Sequence, residues 1–165
     1  MPRLTALPAH MRLHHPVALI ATWFGSGLMP KAPGTWGTLA ALPFAYIIAI
    51  AGGVSALIPA AIIAFILGTW ASGAYAIASG KPDPSEVVID EVAAIWLVLA
   101  FVPFTLIGWT LAFAAFRLFD VVKPWPVSLA DAKLKGGFGI MFDDIVAAIY
   151  AMLALQILFY LVEAF

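Results

Sequence analysis

Apolar residues run in long stretches at about residues 37–51, 56–78, 87–102, 104–119 and 145–165. A helix needs about 20 residues to cross about 30 Å of hydrocarbon. The second and last stretches meet that length alone. The others must extend into their polar flanks or thin the bilayer locally. No stretch alternates apolar with polar, as a strand of a membrane barrel would. The pattern predicts an all-α fold: a polytopic membrane helical bundle with about five spans. It predicts a single membrane-embedded domain over residues 1–165, with residues 1–15 as a polar lead-in. Residues 16–24 form a short apolar segment that reads as interfacial.

Val102-Pro103-Phe104 separates the third and fourth stretches. Proline lacks an N–H and disfavours helix in the residue before it. One helix from Val87 to Phe119 would reach about 50 Å, well past one bilayer core. A hairpin at Pro103 is therefore expected. The charges then sort by side. The polar segments before Gly37, at residues 80–86 and at residues 120–144 share one side, whereas Gly52-Gly53 and Pro103 carry no charge. The positive-inside rule makes the charged side cytoplasmic.

Composition sharpens this picture. The chain is 64% apolar and only 10% charged, against about a quarter charged in a soluble domain. A soluble helical binding domain is thereby disfavoured. No basic block invites nucleic acid. The absence of cysteine removes disulfides, thiolate metal sites and cysteine nucleophiles together. His10, His14 and His15 all lie in the lead-in, where a polar, non-catalytic role is expected. The N-terminus does not read as a cleaved signal peptide.

Four polar clusters fall on the charged side. The first joins Phe24-Gly25-Ser26-Gly27 to Lys31-Ala32-Pro33-Gly34-Thr35-Trp36-Gly37-Thr38. A helix starting near Thr38 would aim free N–H groups at this loop, which suits phosphate. A proline turn with a threonine cap explains the same residues. The second cluster is Asp83-Pro84-Ser85-Glu86, followed by Asp90-Glu91 within an apolar stretch. An acid inside a membrane helix costs about 2.5–3.5 kcal/mol on insertion scales. An exposed acid at a helix start gains only about 0.3–1 kcal/mol from the dipole. The adjacent acids therefore require a partner, a cation or water. The third cluster is Arg117-Leu118-Phe119-Asp120, Lys123-Pro124-Trp125-Pro126 and Asp131. Each of its residues alone would also serve as an interfacial anchor. The fourth is Gly136-Gly137-Phe138-Gly139-Ile140-Met141-Phe142-Asp143-Asp144, read as opening the last span. Helix capping explains one acid there more readily than two.

Carboxylates converging without Cys or His suit a hard cation, and oxygen-only donors favour Mg²⁺. Arginine and lysine nearby would offset charge on a phosphoryl group. The residues thus point to a metal-assisted phosphate site at a membrane surface and leave the substrate open.

Taken in order, Phe24-Gly25-Ser26-Gly27, Ala32-Pro33-Gly34-Thr35, Ile89-Asp90-Glu91, the block from Phe116 to Pro126 and the block from Gly136 to Asp144 resemble the phosphatidylglycerophosphatase A family. The resemblance spans nearly the whole chain, and the last two blocks are specific in combination. It implies a Mg²⁺-dependent phosphomonoester hydrolase of the bacterial inner membrane. The implied reaction converts phosphatidylglycerophosphate to phosphatidylglycerol and inorganic phosphate at the cytoplasmic face. The implied partners are that lipid and the bilayer, with no nucleic acid. Asp90, Glu91, Asp143 and Asp144 are the expected metal shell, and Asp120 a further ligand or the base that orients water. Lys123 and Arg117 are the expected phosphate contacts, assisted by Lys31, Gly34, Thr35 and Thr38. Ala94 and Ala148 stand where the family usually has glycine. Both are small, so close helix packing should survive. The rival reading is a small polytopic cation transporter with the acids as its ion path. That reading expects acids spread through the membrane depth, whereas here they gather at one face.

Overall fold

A computed structural model of the chain describes residues 5–9, 11–128 and 134–164. The helices are α1 (Pro16–Ala21), α2 (Pro33–Gly52), α3 (Leu57–Ser79), α4 (Ile89–Leu99), α5 (Leu106–Val122) and α6 (Gly136–Ala164). Short 3-10 turns occupy Ser26–Leu28 and Val54–Ala56. No strand occurs among the described residues. The segments Pro33–Gly52, Val54–Ser79 and Gly136–Val162 are each long and apolar enough to cross a membrane. Their outward positions, such as Ile47, Ile63, Ile77 and Ile157, are exposed and large, as lipid-facing surface requires.

The other two expected spans are a hairpin with short legs. The 11 residues of α4 rise about 16 Å, roughly half the hydrocarbon thickness. Pro103 lies in the turn between α4 and α5. Thr105 caps α5 by accepting from the Gly108 N–H at 3.0 Å. Gln156 of α6 donates to the Phe101 carbonyl at 2.6 Å and pins the turn.

α4 is the central post. It packs on α2, α3, α5 and α6, and Ile89, Glu91–Trp96, Val98 and Leu99 are all buried. Trp96 Nε1 donates to the Ala41 carbonyl of α2 at 3.0 Å, so the one polar atom of that ring is satisfied. Small residues let the backbones close in. A Cβ on Gly37 would press into Val88, and one on Gly137 would land on the Thr69 carbonyl oxygen. Ala94 and Ala148 are fully buried, which is where small side chains are needed.

Two local expectations change. First, α2 begins at Pro33 rather than near Thr38. Proline's missing N–H costs nothing in the first helical turn. Second, α6 begins at Gly136, well before residue 145. Glycine costs about 1 kcal/mol in a helix, but the crossing with α3 admits nothing larger at Gly137. Asp143 and Asp144 therefore lie about two turns inside α6 and are not its capping residues. The short segment α1 packs on α3 with Val17, Ala18 and Ala21 buried.

Candidate active site

The start of α2, the loop before α4, the first turn of α4, the end of α5 and the first turns of α6 meet around one cavity. Its volume is about 520 Å³. It is lined by Asp90 and Glu91 from α4, Arg117, Asp120 and Lys123 from α5 and its C-cap, and Asp143 and Asp144 from α6. The hairpin explains this convergence. By turning at Pro103, the chain returns Arg117 to within 3.5 Å of Glu91.

One carboxylate oxygen from each of Asp90, Glu91 and Asp144 lies within 4.8 Å of the others. Glu91 and Asp144 are buried and Asp90 partly so. Two unit negative charges at that separation repel by about 3–4 kcal/mol at an effective dielectric constant of about 20. Asp120 and Asp143 add to the negative field at Asp144. Glu91 Oε2 and Asp144 Oδ2 are buried without a hydrogen-bond partner among the described residues. Buried carboxylate oxygens without donors are costly unless a cation completes them. Three clustered, oxygen-only donors with unfilled lone pairs fit a hard divalent cation.

The cations around this cluster are themselves held. Arg117 Nη1 lies 2.5 Å from Asp120 Oδ2, one turn along α5. Lys123 donates from Nζ to Asp143 Oδ2 at 2.9 Å. Lys123 is the C-cap of α5 and has φ 45, a left-handed conformation that costs a residue with a Cβ roughly 1–2 kcal/mol. The strained residue at the site's edge thus carries the ammonium that meets α6. Asp143 turns to that lysine and lies outside the three-acid cluster. Gly34 explains part of the first glycine-rich motif: a Cβ there would land on Glu91 Oε1 and lie 3.0 Å from Arg117 Nη1. Only glycine lets α2 begin against that carboxylate.

Other expected residues stand apart. Lys31, Thr35 and Thr38 do not line the cavity. Thr38 is buried and donates from Oγ1 to the Gly34 carbonyl at 2.8 Å, an internal helix bond. His14 and His15 are exposed and away from the cavity, while His10 and Asp131 fall outside the described residues. Asp83, Ser85 and Lys135 do line it. Nothing in the pattern singled out Lys135. It follows Asp131 and Lys133 in a short polar stretch before the glycines, and the early start of α6 brings it to the cavity.

The model of the family Phosphatidylglycerophosphatase A matches residues 19–159, which include every helix from α2 to α5 and most of α6. The chain belongs to the phosphatidylglycerophosphatase A family. It is thereby a phosphoric monoester hydrolase of membrane lipid synthesis. It is 42% identical to the Haemophilus influenzae phosphatidylglycerophosphatase A over 142 residues, 86% of this chain and 87% of that one. It is 36% identical to the Escherichia coli phosphatidylglycerophosphatase A over 155 residues, 88% of this chain and 89% of that one. A Bacteroides thetaiotaomicron protein provisionally named a phosphatidylinositol-3-phosphatase is 37% identical over 155 residues, 84% of this chain and 91% of that one. No solved structure matches.

Proposed function

We propose that the chain hydrolyses the terminal phosphomonoester of phosphatidylglycerophosphate at the cytoplasmic face of a bacterial inner membrane, with Mg²⁺ held by Asp90, Glu91 and Asp144. The observation that carries this reading is the three-acid cluster with two orphaned buried oxygens, ringed by Arg117 and Lys123 at one end of an apolar bundle. The three oxygen ligands leave room for water and substrate phosphate, as Mg²⁺ sites usually do. Bound there, the ion would supply Lewis-acid polarisation of the phosphoryl group and a more acidic water.

The chain's own groups divide the remaining work. Arg117 and Lys123 balance charge gathering on the phosphoryl oxygens. Asp120, steadied by Arg117, orients the attacking water and takes its proton. The water oxygen bonds to phosphorus as the bond from phosphorus to the glycerol oxygen breaks. That oxygen takes up a proton from solvent and leaves as the phosphatidylglycerol hydroxyl, and Asp120 returns its proton to solvent. The cytoplasmic orientation rests on the charge map: Lys81, Arg117, Lys123 and Lys135 lie at the site end, whereas residues 52–56 and 100–105 carry no charge.

The test is phosphate release by purified enzyme from phosphatidylglycerophosphate and other lipid phosphates, with Mg²⁺ and then with a chelator. Release from phosphatidylglycerophosphate that vanishes on chelation and returns with Mg²⁺ is expected. Preference for another lipid phosphate would overturn the substrate, and chelator-insensitive turnover would overturn the metal.

A further inference from the structure

Three glycines of the block Gly136-Gly137-Phe138-Gly139 do separate structural work. Gly136 takes φ +73, the left-handed turn into α6. Gly137 lets α6 cross the α3 backbone at Thr69. A Cβ on Gly139 would meet the Leu134 carbonyl carbon at 2.5 Å and its oxygen at 2.6 Å. The chain at Leu134 is thus folded back against the first turn of its own helix. Lys135, between Leu134 and that turn, is held at the cavity rim by packed backbone.

Lys135 differs from the other lining cations. Arg117 is engaged by Asp120 and Glu91, and Lys123 by Asp143. Lys135 is exposed and makes no ion pair among the described residues. The hydrolysed phosphate belongs beside the acids, where Arg117 and Lys123 stand. A third cation, at the mouth, has no evident task in attacking that group. Phosphatidylglycerophosphate carries a second anion, the phosphodiester that joins its head group to the diacylglycerol. With the monoester at the cavity floor, the diester must lie nearer the mouth.

We propose that Lys135 is a substrate-binding residue that takes the phosphodiester of the substrate, while the reacting monoester sits with Arg117 and Lys123. This rests on the substrate reading above. The same phosphodiester chemistry is present in bilayer lipids, so the assay uses enzyme in a nonionic detergent free of other phospholipid. Turnover of phosphatidylglycerophosphate and its inhibition by inorganic phosphate are measured for the parent enzyme, Lys135→Gln and Lys135→Arg. Inorganic phosphate probes only the monoester position.

In Lys135→Gln, KM for phosphatidylglycerophosphate should rise about three- to fivefold, the upper end of the scale of one solvated ion pair. Its kcat and the inhibition constant for inorganic phosphate should stay near the parent values. Lys135→Arg should restore KM. A parallel rise in both constants would overturn the proposal and assign Lys135 to the reacting phosphate. Unchanged constants in detergent would overturn it too, leaving a surface lysine or a contact to bilayer lipid. Failure of the parent enzyme to hydrolyse phosphatidylglycerophosphate at all would instead refute the substrate reading.

Discussion

The two acidic pairs look alike in the sequence and behave differently in the fold. Asp90-Glu91 opens α4, and both side chains enter the three-acid cluster. Asp143-Asp144 lies inside α6 and divides: Asp144 joins the cluster, whereas Asp143 meets Lys123. Adjacent residues on a helix diverge by about 100°, so a mid-helix pair cannot easily serve one point. At the start of α4 the geometry is looser. Asp90 Oδ1 accepts from the Glu91 N–H at 3.0 Å, so the side chain curls back over its own helix end. One pair therefore supplies two of the three clustered carboxylates. The other supplies one carboxylate and one tether that ties α5 to α6.

Replacing the clustered acids should break this comparison most severely. Glu91→Gln and Asp144→Asn should each lower kcat at least about a hundredfold, as loss of a preorganised charge in a reaction centre does. Thermal stability should hold or rise, because less buried negative charge remains to repel. Phosphate release and melting in detergent, measured on the same preparations, check both. Near-parent activity in either variant would return that acid to a structural role.

Gly34→Ala comes next. Its methyl group would displace the Glu91 carboxylate. Activity should fall about tenfold to a hundredfold, with the required Mg²⁺ concentration raised, through a residue that has no reactive atom. An unchanged Mg²⁺ titration would show that α2 can yield there.

A smaller effect is expected at the tether. Asp143→Asn and Lys123→Ala should each reduce turnover by about tenfold or less, and the double variant should be little worse than the poorer single. Groups that act as one unit are non-additive in this way. Fully multiplicative losses would separate the two residues and restore Asp143 to the metal shell expected from the sequence.

The smallest effect belongs to Thr38. Thr38→Val removes a hydroxyl that bonds only the Gly34 carbonyl. It should cost about 1 kcal/mol of stability or less and leave KM unchanged. A raised KM would bring Thr38 back to the phosphate.

Much of this was legible because membrane burial is a coarse filter. Acids at Asp90, Glu91 and Asp144 could not sit in apolar helices without a task, and charge segregation gave the side on which they meet. Pro103 marked the hairpin that returns Arg117 to Glu91. What escaped reading depended on contacts between distant segments. Glycines ahead of Asp143 read as a loop by propensity, yet the α3 crossing makes them helix. That shift moved the second acidic pair two turns inward and carried Lys135 to the rim. Likewise, Thr38 reads as a cap only until Pro33 is seen to start the helix. The division of labour between Asp143 and Asp144 has no signature in either residue type.

The burial of α4 bears on how the protein is made. A helix of 11 residues with two acids in its first turn is too short and too polar to settle in lipid by itself. It keeps almost no outward face, so its stability must come from neighbours. Two of these, α5 and α6, follow it in the chain. Integration of α4 should therefore be a late step, completed when α6 closes on it. The acids should reach their low-dielectric setting only then, so the bundle and the acidic cluster should form in one event. Nascent chains arrested before α6 should leave α4 open to aqueous labels that arrest after α6 excludes.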